Sequence, residues 1–173
     1  MKAKIMTIGL LSAMVAAFAP SMASAQVVPQ TPIILFEGVG PAIAGSVSLD
    51  QLSKEAREFL KKHFREGKVI DCEHEYDDNT YEVTMSDHMD IEFDSKGQWI
   101  EIDAFGRSVI PYNLVKKLLP GDAHRDIERR GLQQSVENIK RSANGYKVEF
   151  QSADIDDIRY NTHGKVLSVD RDD

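Results

Sequence analysis

The chain has 173 residues, a formal net charge of −7 at neutral pH, one cysteine and one tryptophan. A lone cysteine excludes an internal disulfide, and the acidic balance argues against nucleic acid and anionic membrane as partners. Such a surface suits solubility, cations, or a basic protein or peptide.

The chain opens Met1-Lys2-Ala3-Lys4, continues with an apolar run from Ile5 to Phe18, and reaches Ala23-Ser24-Ala25. A basic start, an apolar middle and a small-residue ending predict a secretory signal peptide over 1–25. Losing Lys2 and Lys4 takes the net charge from −7 to −9. The apolar run is short for a membrane span, and no later segment is apolar enough, so no stable membrane insertion is expected after cleavage. Residues 26–47 are rich in Pro, Gly and Ala and read as a flexible leader.

From Ser48 a periodic pattern begins. Leu52, Ala56, Phe59, Leu60 and Phe64 form one apolar helical stripe, with Ser53 as N-cap and Gly67 beyond the end. Four short runs follow: Lys68 to Tyr76, Tyr81 to Ser86, Met89 to Phe93, and Gln98 to Asp103. Asp-, Asn-, Ser- and Gly-rich turns separate them, which predicts a helix followed by a four-strand antiparallel meander.

The pattern then returns. Leu119 to Ile127 echoes Leu52 to Leu60, Asn144-Gly145-Tyr146-Lys147-Val148 echoes Asn79-Thr80-Tyr81-Glu82-Val83, and Tyr160 to Asp170 echoes Phe93 to Asp103. Self-similarity at near-constant spacing predicts two structural units, placed at 48–105 and 106–173. Between them Pro111 to Leu119 reads as a short helical turn. The expected fold is α+β: two tandem helix-plus-four-strand units forming one antiparallel sheet, with helices on one face and the other face open.

The helix, the Tyr81-Glu82-Val83 run, the segment Phe93-Asp94-Ser95-Lys96-Gly97-Gln98-Trp99 and, in the second unit, Gly145-Tyr146-Lys147-Val148 resemble the PepSY-like family, also called β-lactamase-inhibitor-like. The resemblance covers Leu52 to Asp170. It departs in the second unit, where Val166 stands at the tryptophan position and the helix Asp122 to Arg130 is more charged. It implies exported bacterial proteins of the periplasm, helices packed on an antiparallel sheet, and no catalytic residues. Fold likeness alone assigns no inhibitor site.

Asp71-Cys72-Glu73-His74-Glu75-Tyr76-Asp77-Asp78 is the stretch richest in potential metal ligands. In a strand, Ile70, Cys72, His74 and Tyr76 share one side, and Asp71, Glu73 and Glu75 the other. Cys72 and His74 therefore point away from the carboxylates, Cys72 reads as a small buried hydrophobe, and no metal site is expected. The acidic runs Asp77-Asp78-Asn79 and Asp154-Ile155-Asp156-Asp157 lack the ligand spacing of a calcium loop. No nucleophile motif, phosphate loop or cofactor motif appears, so the chain reads as non-enzymatic and free of cofactors.

Alternation assigns the sheet faces. Tyr81, Val83, Met85, Ile91, Phe93, Ile100 and Ile102 take the core side of unit one; Glu82, Asp90, Glu92, Trp99, Glu101 and Asp103 take the open side. In unit two Leu167 and Val169 fall on the core side and Val166 on the open side, while Val136 and Ile139 have opposite parity, which a β-bulge reconciles. Trp99, Glu82, Glu92 and Glu101 are the expected contact residues of a binding module for a protein or basic peptide. The alternative is a periplasmic cation-binding protein using the same acidic face.

Overall fold

The computed structural model describes residues 47–151 and 154–171. The expected signal peptide and nearly all of the expected leader lie outside the described residues. After a 3-10 turn at Leu49–Gln51 the order is α1 (Lys54–His63), β1 (Val69–Glu75), β2 (Thr80–Met85), β3 (Met89–Phe93), β4 (Trp99–Ala104), α2 (Tyr112–Leu118), α3 (Gly121–Arg130), β5 (Val136–Ser142), β6 (Gly145–Phe150), β7 (Asp157–Asn161) and β8 (Val166–Asp170). The eight strands form one antiparallel sheet in chain order. The α+β architecture predicted from the sequence is the one observed.

Each helix forms for a local reason. Ser53 caps α1, its Oγ accepting from the Ala56 N–H at 3.1 Å, and Lys61 and Lys62 occupy the last turn, where the dipole favours cations. Gly131 ends α3 in the left-handed conformation, φ 76°. Leu52, Ala56, Leu60 and Phe64 of the first helical region, Leu114 and Val115 of α2, and Ala123 and Ile127 of α3 join one core with the sheet's inner face. The middle of that face is a continuous apolar row, Cys72–Val83–Ile91–Ile102–Ile139–Val148–Ile158–Val169, one residue from each strand. All but Val169 are fully buried. Burial of such side chains, at about 1.5–3 kcal/mol each, is the main stabilising term.

Bulges set which residues belong to which face. The ladder shifts between Val69 and Asp71 in β1 and between Val136 and Asn138 in β5. The β5 shift is the bulge that the parity of Val136 and Ile139 demands. Its β1 counterpart corrects the expected placement of Ile70: Val69 is buried and Ile70 is 43% exposed. A second pair of shifts lies where β3 meets β4 and β7 meets β8. Glu92 pairs Glu101 but Phe93 pairs Trp99; Arg159 pairs Ser168 but Tyr160 pairs Val166. One extra residue, Ile100 or Leu167, is accommodated in the later strand, and the side-chain alternation flips there.

The turns that precede β4 and β8 reach the helices. Asp94 Oδ1 accepts from the N–H groups of Lys96 and Gln98, and Asn161 Oδ1 from those of His163 and Lys165. Gly97 and Gly164 follow with φ 78° and 85°. A Cβ on Gly97 would lie 1.8 Å from Ser53 Oγ, and one on Gly164 would lie 2.7 Å from the Ala123 nitrogen. Each glycine lets a hairpin tip rest on a helix N-terminus.

Candidate functional site

The DCEHEYDD stretch resolves into a core face and a solvated face. Cys72 is fully buried, and burial, reinforced by the Asp71 and Glu73 carboxylates, pushes its thiol up to about 12. A thiol so held stays protonated and is no nucleophile. His74 stacks on Tyr81 at 4.4 Å, sits against Tyr76 at 4.3 Å, and its Nε2 meets Asn79 Oδ1 at 3.1 Å. Among the described residues no three His, Cys, Asp or Glu side chains converge as a metal requires.

Trp99 is not on the open face. It is 7% exposed, stacks over Phe59 of α1 at 6.3 Å and faces Tyr146 at 6.5 Å. The Arg141 guanidinium lies 4.7 Å from its ring centroid. The expected exposed anchor is thus a core residue, and the cause is the bulge at Ile100. The equivalent slip between β7 and β8 turns Leu167 outward, 63% exposed, and brings Val166 against the core.

The carboxylates stand where alternation predicts. Ladder pairing sets Glu73, Glu82, Glu92 and Glu101 side by side on β1 to β4, and continues the row with Lys140, Lys147, Arg159 and Ser168 on β5 to β8. The row therefore runs from four acids to three cations. The next row holds Asp71, Thr84, Asp90, Asp103, Asn138, Glu149, Asp157 and Asp170.

Glu82, Asp90, Glu92, Glu101 and Asp103 alone line a shallow depression of about 240 Å³. Glu82 is pushed above the usual carboxylate range, first by burial and then by Asp90, Glu73, Glu92 and Glu75. Burial, with the Asp103 charge, also raises Asp90, against a lowering hydrogen bond from Thr84. Asp90 Oδ1 has no hydrogen-bond partner among the described residues. Like charges side by side repel, so these groups favour an added positive charge.

The far wall is neutralised. Lys140 Nζ meets Glu101 Oε2 at 2.7 Å, and buried Asn138 donates through Nδ2 to Glu101 Oε1 at 2.7 Å and Asp103 Oδ1 at 2.9 Å. Beyond it Lys147 contacts Glu149 at 2.7 Å and Asp157 at 3.2 Å, and Arg159 lies 3.6 Å from Asp157. Among the described residues, the ion-paired cations of this face belong to β5, β6 and β7. Sequence reasoning placed Glu82, Glu92 and Glu101 but missed Asn138 and Lys140 as the boundary. The opposite parities of Val136 and Ile139 were the available signal, since the bulge they demand puts both residues on the open face.

The family model described as "Putative beta-lactamase-inhibitor-like, PepSY-like" matches residues 79–168, so the chain belongs to the PepSY-like family. No curated protein matches the chain. Three solved structures share its fold. A "putative periplasmic protein of unknown function" from Bacteroides vulgatus is 24% identical, with a TM-score of 0.58 over 73% of this chain and 99% of that one. A "putative calcium-regulated periplasmic protein" from Bacteroides thetaiotaomicron is 22% identical, with a TM-score of 0.60 over 73% and 96%. A "putative periplasmic protein" of the DUF2874 family, also from Bacteroides vulgatus, is 25% identical, with a TM-score of 0.57 over 73% and 95%. All three are described as periplasmic, the location expected here from the sequence. No helix among the described residues is long and apolar enough to cross a membrane.

Proposed function

We propose that this protein is a non-catalytic periplasmic binding module whose sheet face over β1 to β4 holds a basic segment of a protein or peptide. One observation carries the reading: Glu73, Glu82, Glu92 and Glu101 lie side by side on adjacent strands, and Lys140 is the cation paired with the row. Neighbouring strands are about 4.8 Å apart, so the row offers carboxylates at a spacing that Lys and Arg side chains of one segment can match. Such complementarity steers encounter and sets register. Trp99, being in the core, takes no part.

A second reading, a divalent cation over the same depression, is favoured by its all-carboxylate lining. The structural relative described as calcium-regulated points the same way. Against it, no metal-ligating group of three converges among the described residues.

Calorimetric titration of the mature protein with a Lys/Arg-rich nonapeptide separates these readings. Binding should weaken about tenfold in Glu82→Gln/Glu92→Gln, as two screened charge contacts of up to about 1 kcal/mol each allow, and weaken again with added salt. An unchanged affinity in that variant overturns the peptide reading. Calcium heat lost in the same variant, with no peptide binding by the wild type, selects the cation.

A further inference from the structure

A second candidate site lies among the helices. An open cleft of about 490 Å³ separates the end of α1 from α2, with the turn between β2 and β3 below it. Its floor is apolar: Phe64, Met89 and Leu114 are all core residues. Its rim carries Lys62, Arg65 and Lys117.

In a chain of net charge −7, these three cations have no ion-pair partner among the described residues. Lys54, by contrast, pairs with Glu58, and Arg125 with Asp122. His63 lies on the same rim. Its ring rests on Phe59 at 4.6 Å, while its Nδ1 is buried and has no hydrogen-bond partner among the described residues. Burial, Lys62 on its own helix and Lys117 on α2 all disfavour its protonation. Glu66 and Asp87 also line the cleft, from the loop after α1 and the β2–β3 turn.

We propose that this cleft binds an amphiphilic anion, its carboxylate or phosphate head held by Lys62, Arg65 and Lys117 and its apolar body on Phe64, Met89 and Leu114. A cationic rim attracts an anionic head, and does so less strongly as salt is added. The volume falls in the range of about 300–1,000 Å³ typical of small-molecule sites. Glu66 and Asp87, both exposed, repel a head placed next to them. A bound head also supplies the negative charge that His63 lacks, so protonation of His63 and anion binding favour each other. Soluble fatty-acid-like anions and anionic phospholipids share this chemistry.

The test uses mature protein and three eight-carbon probes: octanoate, octanol and octyltrimethylammonium. Octanoate should bind at least tenfold more tightly than the other two, and Lys62→Ala/Lys117→Ala should weaken it about tenfold. Both residues are exposed, so the variant should melt with the wild type. In histidine NMR spectra, saturating octanoate should raise the His63 pKa. Glu82→Gln/Glu92→Gln should bind octanoate normally, which separates this site from the sheet face. Sedimentation with phosphatidylglycerol but not phosphatidylcholine vesicles identifies the source as lipid; octanoate binding without sedimentation identifies a soluble anion. Equal binding of the three probes, an unaffected double variant or an unmoved His63 overturns the proposal.

Discussion

The two halves of the sheet solve the same packing problem with different chemistry. In the first half Phe59 of α1 meets Phe93 of β3 edge-on at 5.7 Å and stacks over Trp99 of β4. Sixty-seven residues later, Asp126, Tyr160 and Val166 hold the equivalent places. Asp126 is 3% exposed; it accepts a hydrogen bond from the Tyr160 hydroxyl at 3.2 Å and pairs with Arg129 and Arg130. An aromatic stack has its counterpart in a buried carboxylate with three donors. The hairpin glycines and the paired bulges recur in both halves, so the frame stays fixed while its contents differ. The three positions change together: a phenylalanine at 160 would leave Asp126 without its inner donor, and a carboxylate at 59 would face two aromatic rings.

Breaking the aromatic side should have the largest effect. Trp99→Ala should cost about 3–4 kcal/mol and Val166→Ala about 1, measured by urea unfolding. Equal losses would show that the two sites are not the same niche filled differently. Because Trp99 lies inside, the folded variant should bind the basic peptide as the wild type does.

The polar side comes next. Asp126→Ala should cost about 2 kcal/mol, mainly because the Tyr160 hydroxyl is left buried without its acceptor. Arg129 and Arg130 reach water and lose less, their side chains being 73% and 27% exposed. Burial and the neighbouring Asp126 carboxylate hold the Tyr160 hydroxyl well above the usual phenol range. If Tyr160→Phe matches Asp126→Ala in cost, the hydroxyl–carboxylate bond is the main term; a much smaller cost assigns it to the arginines.

The helix ends differ more modestly. Ser53 caps α1 through its side chain, whereas Pro120, at the same place before α3, makes no side-chain cap. Ser53→Ala should lower stability by about 1 kcal/mol in the same unfolding assay. No loss would mean that the Gly97 hairpin tip holds the helix end unaided.

The smallest effect is expected on the open face, with the opposite sign. Glu82 titrates above its unfolded value, so its contribution to stability is present below the ordinary glutamate range and lost as pH rises through the raised folded value. At neutral pH Glu82→Gln should therefore stabilise, by less than about 1 kcal/mol after solvent screening. Thermal melts at pH 7 and pH 4 should show the gain at pH 7 and little at pH 4. A loss at pH 7 would mean that repulsion among these carboxylates is already relieved.

The contrast between the halves also shows what was legible in the sequence. Alternation and turn residues place β1 to β4, because strand period and turn chemistry are local, and the repeat carries the pattern to the second half. Glu82 is correctly outward because it sits inside an unbroken stretch of its ladder, and Glu92 and Glu101 because they form the last pair before the shift. Trp99 and Leu167 are misplaced because a bulge is a tertiary event: no residue at 97–101 signals that Phe93 will pair with Trp99 while Glu92 pairs with Glu101. In β5 the apolar pair Val136 and Ile139 reveals the bulge by conflicting parity. In β1 the apolar pair Val69 and Ile70 conceals it, since either residue could face the core. The cationic cleft has no linear signature at all, being assembled from the end of α1, the length of α2 and the turn between β2 and β3.

In this sheet every strand pairs only with its neighbours in sequence, and the longest connection between paired strands is the helical excursion from Ala104 to Val136. That gives the sheet an unusually low contact order for eight strands. Sequence-near pairings close small loops and carry little entropic delay, so such a topology folds faster than sandwiches or barrels of similar size. A chain that emerges unfolded on the far side of a membrane, as the predicted signal peptide implies, can add its hairpins one after another as they arrive. Only β4 has to wait for its partner, β5, across the helical excursion.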